Sequence, residues 1–323
     1  MPRPATEAVI KAAAALIQDG KLVAFPTETV YGLGADATKA IAVARVFKAK
    51  MRPRFNPLII HVPDLDYAAQ LVQVDARARL LAKQFWPGGL SLVLPRRADC
   101  PVEPLAGAGL ETLAIRAPDH AVAQALLSAC GRPIAAPSAN RSGEVSPTTA
   151  AHVVAGLGGD VDEILDGGAC SIGLESTILD LTRNPPEILR RGGISDEEIS
   201  AVVGPLAFNM AEDSRPRSPG QLYRHYATQL SLRTNATEVK SGEALLGFGR
   251  HTVTGAAAER NLSPAGDLTE AAANLFAMLR DLDRPEYIGI AAVPVPDVGI
   301  GRAINDRLRR AAAPKFINNR DNV

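Results

Sequence analysis

A basic segment between Asp36 and Asp64 is the first feature that could carry chemistry, because it contains no acidic residue. In its second half Lys50 and Arg52 alternate along a turn stiffened by proline, so both can present positive charge to one polyphosphate. Asn56 adds an amide donor beside them. An alternative is that these residues form an ordinary solvated face, because cations at a helix end also complement the helix dipole. This alternative stays open. The basic residues of the segment are Lys39, Arg45, Lys48, Lys50, Arg52 and Arg54.

A cluster of short polar side chains follows a predicted strand over 133–137. The run Pro137-Ser-Ala-Asn is followed by further serines, and such small side chains let a ligand approach the backbone closely. Open α/β sheets place ligands at strand ends, although serine and asparagine are also ordinary turn residues. The candidates in this cluster are Ser138, Asn140, Ser142 and Ser146.

The predicted strand over 112–116 places Thr112 and Arg116 on one face of the sheet. A buried arginine in an apolar strand needs a partner, either a structural carboxylate or the carboxylate of a substrate. The residues alone favour the structural salt bridge. His61, a lone histidine at the end of an apolar strand, is by default assigned a structural hydrogen bond.

Several familiar chemistries lack their motifs. The chain has no Gly-x-x-x-x-Gly-Lys-Ser/Thr loop, no Gly-x-Ser-x-Gly elbow and no His-Glu-x-x-His helix. Gly32-Leu-Gly34 is a fragment of a dinucleotide fingerprint and is interpreted as a tight turn. The cysteines at 100, 130 and 170 are odd in number and far apart, which argues against a disulfide framework or a zinc ribbon. Cys130 ends an apolar helix and is predicted to be a core residue.

Length and composition predict a soluble protein of two domains, with one large domain as the alternative. The chain has 323 residues, 46% hydrophobic and 22% charged, which suits packed globular domains. Its 35 basic and 35 acidic side chains cancel, so no global field attracts it to nucleic acid or to a membrane. No stretch approaches the ~20 apolar residues of a membrane span. Because the first residues also lack an apolar secretory core, we expect a cytoplasmic protein.

Alternating helix and strand signals predict an open, twisted α/β sheet of mixed strand direction. Thr38 is the predicted cap of one of its helices. The predicted helices cover 5–19, 38–50, 65–86, 119–130, 147–156 and 195–203. The predicted strands cover 21–25, 58–62, 90–95, 112–116, 133–137, 162–165, 176–181 and 187–190.

A linker divides the chain, because residues 212–220 are rich in proline, serine and charge. We predict a catalytic domain over 1–207, a linker over 208–228 and a smaller α/β domain over 229–323. In the smaller domain the predicted strands cover 228–233, 244–248 and 287–293, and the predicted helices cover 268–282 and 301–312.

Taken together, the ordered motifs resemble the YrdC-like threonylcarbamoyl-adenylate synthases, and the resemblance spans nearly the whole chain. Two further segments are similar to the linker and the last helix of the long, two-domain form of that family. The motifs that carry the resemblance are Pro26-Thr-Glu-Thr-Val-Tyr-Gly-Leu-Gly34, Lys48-Ala-Lys-Met-Arg-Pro-Arg-Phe-Asn-Pro-Leu58, Pro137-Ser-Ala-Asn140, Leu174-Glu-Ser-Thr177, Ser218-Pro-Gly-Gln-Leu-Tyr-Arg-His-Tyr-Ala227 and Gly299-Ile-Gly-Arg-Ala-Ile-Asn-Asp-Arg-Leu308.

The resemblance implies a reaction in which L-threonine, bicarbonate and ATP give threonylcarbamoyl-adenylate and pyrophosphate. It implies Mg²⁺ held by the ATP phosphates with no protein ligand assigned, and a product that feeds modification of the tRNA adenosine beside the anticodon. Downstream tRNA-modifying enzymes are the expected partners, without strong nucleic-acid binding by this chain. Lys50 and Arg52 would act electrostatically, since no protein nucleophile is required.

The family's contacts transfer to this chain by motif. For ATP the resemblance implies Lys50, Arg52, Asn56, Thr112, Ser138, Asn140, Ser146, Arg190 and Tyr226. For L-threonine it implies Thr29, His61, Arg116, Ala136 through its backbone, and Ser176.

The linker residues Tyr223, His225 and Tyr226 resemble a family segment that folds over the active site, so we predict a lid, with a plain tether as the alternative. The chain has Thr228 where the family commonly has proline.

Two rival functions follow from the same residues. The first is a non-catalytic RNA-binding module that uses the basic surface from Lys48 to Arg54. The second is carbamoyl transfer in hydrogenase maturation, where a YrdC-like domain is also used. Proteins of that second kind carry zinc-finger cysteine pairs, which this sequence lacks.

Overall fold

The computed structural model describes residues 1–208, 217–219 and 225–314. Within them, the first unit is built on one eleven-stranded sheet. Its strands are β1 (Arg3–Pro4), β2 (Val23–Phe25), β3 (Gly32–Asp36), β4 (Ile59–His61), β5 (Leu90–Pro95), β6 (Thr112–Arg116), β7 (Ile134–Ala135), β8 (Glu163–Asp166), β9 (Thr177–Asp180), β10 (Glu187–Arg190) and β11 (Ala207–Phe208).

The strand order is β1-β8-β2-β3-β7-β4-β6-β5-β9-β10-β11, with both parallel and antiparallel neighbours. The predicted open sheet of mixed direction is therefore confirmed. Helices pack against it over the buried apolar side chains of the strands. They are α1 (Glu7–Gln18), α2 (Ala40–Lys50), α3 (Leu65–Ala68), α4 (Ala76–Phe85), α5 (Ala121–Cys130), α6 (Ala150–Leu157) and α7 (Asp196–Val203). Cys130 is buried in this core, as predicted.

The predicted tight turn at Gly32–Gly34 is wrong. These residues form β3, which pairs antiparallel with β2 and β7. A Cβ atom at Gly34 would lie 2.8 Å from the ring of Phe25, so the glycine serves close packing within the sheet.

Two helix predictions also need correction. Thr38 does not cap α2, because its hydroxyl donates to Asp36 Oδ1 at 2.6 Å and the helix begins after Lys39 without a side-chain cap. The single helix predicted over 65–86 is two helices, since Asp75 accepts from the backbone nitrogen of Ala78 and starts α4 anew.

The second unit is a four-stranded parallel sheet in the order β12-β15-β13-β14. Its elements are β12 (Leu232–Arg233), β13 (Glu243–Gly247), β14 (Ala258–Asn261), α8 (Leu268–Leu282), β15 (Gly289–Ala292) and α9 (Gly301–Ala311). Prediction missed β14, whose sequence Ala-Glu-Arg-Asn has no apolar pattern because it is an edge strand. The predicted domain limits remain predictions, since most of 208–228 lies outside the described residues.

The two units share a buried apolar cluster. Val30, Val145 and Leu174 of the first unit pack with helix and strand residues of the second. Close to Leu174, a Cβ atom at Gly173 would lie 2.5 Å from the Cα atom of Ala273 in α8. The backbone of the first unit therefore touches a helix of the second where only glycine fits. In the described part of the chain, no helix combines the length and apolar character needed to cross a membrane.

We predict that Gly173→Ala destabilises the contact between the units. Gly173 has φ +72°, so alanine there meets both backbone strain and overlap with α8. Gly109 is a matched control, because its φ is +74° and a Cβ atom there would meet nothing within 4 Å. In urea unfolding, Gly173→Ala should lose about 1 to 3 kcal/mol more than Gly109→Ala. Equal losses would contradict the tight contact.

Candidate active site

One pocket collects half of the predicted ligand-binding residues, among them every one predicted for threonine. It lies where the connection between β2 and β3, the ends of β4, β6 and β10, and the turns after β7 and before β9 converge. All five residues predicted for threonine line it, with two of those predicted for ATP: Thr29, His61, Arg116, Ala136 and Ser176, together with Ser138 and Arg190. His61 and Arg116 meet because β4 and β6 are parallel neighbours that place the two residues opposite each other.

Arg116 is buried and held by three protein groups. Its Nε donates to the carbonyl oxygen of Gly88 at 3.0 Å, and its Nη1 donates to Thr29 Oγ1 at 2.8 Å. Its Nη2 lies 2.7 Å from Glu28 Oε1, so the structural salt bridge favoured by the residues alone is confirmed. A guanidinium has five N–H donors, and these three contacts leave others for a ligand in the pocket that Arg116 lines. The side chain can therefore form the salt bridge with Glu28 and bind a ligand at the same time.

His61 is held in its neutral form. Burial, and secondarily the positive charge of Arg116, lowers the pKa of His61 to about 3. Its Nδ1 lies 3.3 Å from the carbonyl oxygen of Ile59, which assigns the ring proton to Nδ1. Nε2 is then an acceptor on a side chain that lines the pocket.

Three buried cations lie at or beside the pocket, and in the described part of the chain no carboxylate is hydrogen-bonded to any of them. Lys50 Nζ donates to the carbonyl oxygens of Ser138 and Asn140, which sets it directly behind the pocket wall. Arg190 donates from Nε and Nη2 to the carbonyl oxygen of Ser176, at 3.1 and 2.9 Å. Arg52 donates to the carbonyl oxygens of Asn56 and Pro57, and to the Asn56 side chain at 2.6 Å.

The pKa of each of these cations is depressed. Burial and the neighbouring Arg190 lower the pKa of Arg52 to about 9, and burial and Arg52 lower the pKa of Lys50 well below its usual value. Burial also lowers the pKa of Arg190. Burial is the largest cause in each case, because removal from water penalises the charged form. An anionic ligand beside these cations would offset that penalty.

The basic segment divides into inward and outward cations. Lys50 and Arg52 are buried, whereas Lys48 and Arg54 are exposed. A nucleic-acid surface needs adjacent exposed cations, so this division disfavours the RNA-binding alternative.

Four other predicted ATP residues lie around these cations. Asn56 Nδ2, Asn140 Oδ1 and the hydroxyl of Tyr226 are buried without a hydrogen-bond partner in the described part of the chain. Ser146 donates to Glu175 Oε1 at 2.6 Å. Asn56 and Asn140 accept from Arg52 and Lys50, and Ser146 is bonded to a carboxylate that lines the pocket.

Thr112 lies apart from these residues. It occupies the opposite end of β6 from Arg116, half-buried beside Pro95, and the described lining of the pocket does not include it.

The residue predictions missed two buried carboxylates, although both lie inside the quoted motifs. Glu28 faces Arg116, and Glu175 lines the pocket. Burial opposes ionisation of Glu175, but the charges of Arg307 and then Arg190 lower its pKa to about 2. The signal that could have identified them is a glutamate followed directly by a hydroxyl residue, as in Glu28-Thr29 and Glu175-Ser176.

The described end of the linker contacts both units. The Ala227 backbone nitrogen donates to the carbonyl oxygen of Gly143 at 2.8 Å, and the Tyr226 ring stacks on Phe276 of α8. His225 is buried, which lowers its pKa to about 3, and its ring centroid lies 4.0 Å from that of Tyr226. Tyr223 lies outside the described residues. The predicted lid stays a prediction.

The described residues contain no group of three or more His, Cys, Asp or Glu side chains that could hold a metal ion.

Two family models match this chain, one in each of its two parts. The Sua5/YciO/YrdC family model, described as "Telomere recombination", matches residues 15–192, and the model "Threonylcarbamoyl-AMP synthase, C-terminal domain" matches residues 194–313. The chain thus joins a YrdC-like domain to that C-terminal domain. It belongs to the threonylcarbamoyl-AMP synthase family, in the long two-domain form, so the resemblance noted in the sequence is confirmed.

Relatives match along almost the whole length. Threonylcarbamoyl-AMP synthase of Bacillus subtilis is 41% identical over 95% of this chain and 94% of its own. The Pyrococcus abyssi protein of that name is 41% identical over 95% of each chain. The crystal structure of P. abyssi Sua5 complexed with L-threonine has a TM-score of 0.88 at 40% identity, over 95% of each chain. The fold and the two-unit organisation are therefore those of this family.

We predict that His61 makes stability depend on pH below neutrality. The pKa of His61 is about 3 in the folded chain but about 6.5 when unfolded, so the unfolded chain binds the extra proton between these values. The contribution of neutral His61 is present above pH ~6.5 and is lost as the pH falls toward 3. Between pH 7 and pH 5 the wild type should therefore lose about 2 kcal/mol more unfolding free energy than His61→Gln. Urea unfolding at both pH values measures this, and parallel losses would contradict burial of a neutral imidazole.

Proposed function

We propose that this chain forms L-threonylcarbamoyladenylate and pyrophosphate from L-threonine, bicarbonate or CO2, and MgATP, as a nucleotidyltransferase. The product would serve threonylcarbamoyl modification of the tRNA adenosine next to the anticodon. The observation that carries the proposal is the convergence of all five threonine candidates on one pocket. That pocket borders three buried cations, none of which is hydrogen-bonded to a carboxylate of the described residues. A threonine complex of the P. abyssi relative supports the threonine part.

In this proposal Arg116 binds the threonine carboxylate. Its contacts with Glu28, Thr29 and Gly88 fix the plane of the guanidinium, and the remaining N–H groups supply the fork that carboxylates match. Neutral His61 offers an acceptor at Nε2, which suits a donor such as the substrate hydroxyl or amine. The Ala136 backbone and the Ser176 hydroxyl complete the predicted threonine contacts.

ATP would extend from the pocket toward the buried cations. Arg190 and Ser138 line the pocket, and Lys50 is bound to the carbonyl oxygen of Ser138, so a phosphate near Ser138 is also near Lys50. Arg52 follows within the same cluster, since its charge and that of Arg190 affect each other. The further predicted ATP contacts are Asn56, Thr112, Asn140, Ser146 and Tyr226.

The reaction requires positioning more than acid–base chemistry. The neutral threonine amine adds to CO2 and releases a proton to solvent, which gives a carbamate. An oxygen of this carbamate then attacks the α-phosphorus of ATP. A new bond forms between this oxygen and the α-phosphorus. The bond between the α-phosphorus and the oxygen that bridges to the β-phosphate breaks, and pyrophosphate leaves. Lys50, Arg52 and Arg190 would stabilise the charge that develops on the leaving group.

Mg²⁺ would arrive as part of MgATP. It prefers oxygen ligands, and the carboxylates Glu28 and Glu175 already face arginines. The donor set therefore fits an ion held by the ATP phosphates.

Pyrophosphate release should depend on threonine, bicarbonate and Arg52. Arg52→Ala should lower the rate by ~10² to 10³, the range for loss of one oriented charge donor. Arg54→Ala is the matched control, because this cation lies two positions away but is exposed. A coupled pyrophosphate assay on both variants, with folding checked by circular dichroism, measures this. Folded wild type that releases no pyrophosphate in response to threonine would refute the proposed reaction.

Selection among amino acids should follow hydrogen bonding more strongly than size. A site that binds the threonine hydroxyl should reject 2-aminobutyrate, which lacks it, by ~10⁴ in kcat/KM. Serine lacks only a methyl group and should be disfavoured by roughly 10 to 200-fold. Pyrophosphate release with each amino acid gives both ratios. If 2-aminobutyrate were the better of the two substrates, the hydroxyl would not be recognised by hydrogen bonding.

A further inference from the structure

A buried ion pair links the last helix of the second unit to the wall of the active-site pocket. Arg307 of α9 is fully buried and donates from Nε to Glu175 Oε2 at 3.0 Å, and its Nη2 lies 3.0 Å from the same oxygen. The other oxygen of Glu175 accepts from Ser146. Arg307 does not line the pocket, but the carboxylate that it holds does.

The pair matters because Arg190 lines the same pocket as Glu175. After Arg307, the charge of Arg190 has the largest effect on Glu175. In the described residues, however, Arg190 makes no hydrogen bond to Glu175 and none through Nη1, because Nε and Nη2 are directed to Ser176. Each oxygen of Glu175 already has a donor, and the charge of Arg307 balances that of the carboxylate, which weakens its attraction for Arg190.

We propose that Arg307 is a positioning residue for ATP: by neutralising Glu175, it prevents this carboxylate from pairing with Arg190 and leaves the Nη1 group of Arg190 free to bind phosphate. This inference rests on the proposed function. It gives the second unit a defined task in the active site, although none of its residues needs to touch substrate.

A purely structural role for Arg307 makes a different prediction. Its guanidinium also lies 5.1 Å from the centroid of the Tyr226 ring and 3.1 Å from Asp306, so its removal would disturb the packing between the units. Loss of packing would lower the stability of the fold and weaken the binding of ATP and threonine together. If Glu175 instead turned toward Arg190, ATP binding alone would be weakened. Removing the charge of Glu175 as well would then restore ATP binding.

The test uses the full chain and two readouts: binding of a non-hydrolysable ATP analogue by calorimetry, and KM for ATP and threonine from pyrophosphate release. Arg307→Gln should raise the analogue Kd and the KM for ATP by about tenfold or more, as expected when one partner of a buried charge pair is removed. The KM for threonine should change by less than about threefold. The double variant Glu175→Gln/Arg307→Gln should recover most of the ATP affinity, because glutamine still accepts from Ser146 but carries no charge.

Arg302→Gln is the matched control. Arg302 lies on the same helix and pairs across the units with Glu197 at 2.5 Å, but outside the pocket, so ATP affinity should stay at the wild-type value. If Arg307→Gln does not fold, the neutral double variant and Arg307→Lys replace it, and both should bind the analogue.

Two outcomes would overturn the inference: a double variant no better than Arg307→Gln, or ATP and threonine KM values that rise together. Analogue binding separates this failure from failure of the proposed function. Wild type that does not bind the analogue contradicts the function, whereas wild type and Arg307→Gln that bind it equally contradict only the role of Arg307.

Discussion

The active site depends on one constraint: it buries positive charge to which no carboxylate among residues 1–208, 217–219 and 225–314 is hydrogen-bonded. Lys50, Arg52 and Arg190 are each held by carbonyl, amide or hydroxyl oxygens, which orient a cation without cancelling its charge. Such an arrangement costs folding free energy, because desolvation is only partly offset by neutral acceptors. An anionic ligand recovers that cost on binding. The turn after β7 positions Lys50, since two of its carbonyl oxygens accept from that side chain.

The same constraint explains how the buried carboxylates are arranged. A free carboxylate near these cations would pair with them and remove the excess charge, so each acidic residue needs an arginine of its own. Glu28 is held by Arg116 and Glu175 by Arg307. Arg307 comes from the second unit, and the apolar cluster around Val30, Val145 and Leu174 keeps the two units in register. The charge balance at the pocket therefore depends on the packing between the two units, because that packing places Arg307 beside Glu175.

The sequence predicts local structure where one physical signal dominates. The bounds of β6 and β10 are those predicted, because apolar runs end there at arginines. Prediction fails where contacts with other elements determine the local structure. In β3, for example, the glycines are required because the ring of Phe25 packs against them. For the site, motifs identified the pocket residues, but Glu28 and Glu175 were missed because the arginines that justify their burial lie far along the chain. Strand register, which places His61 opposite Arg116, is likewise a property of the folded sheet.

The departure from the family at Thr228 shows how one constraint can be met by different means. The family commonly has proline there, which would restrict the backbone covalently. Here the Thr228 hydroxyl donates to the carbonyl oxygen of Leu230 at 2.7 Å, and the backbone nitrogens of Gln229 and Leu230 donate to the carboxylate of Asp283 at the end of α8. Hydrogen bonds therefore fix the direction of the chain where it leaves Tyr226. Since Tyr226 has φ +60° and stacks on Phe276, its costly backbone conformation is maintained from both sides, by the ring contact and by this anchored segment.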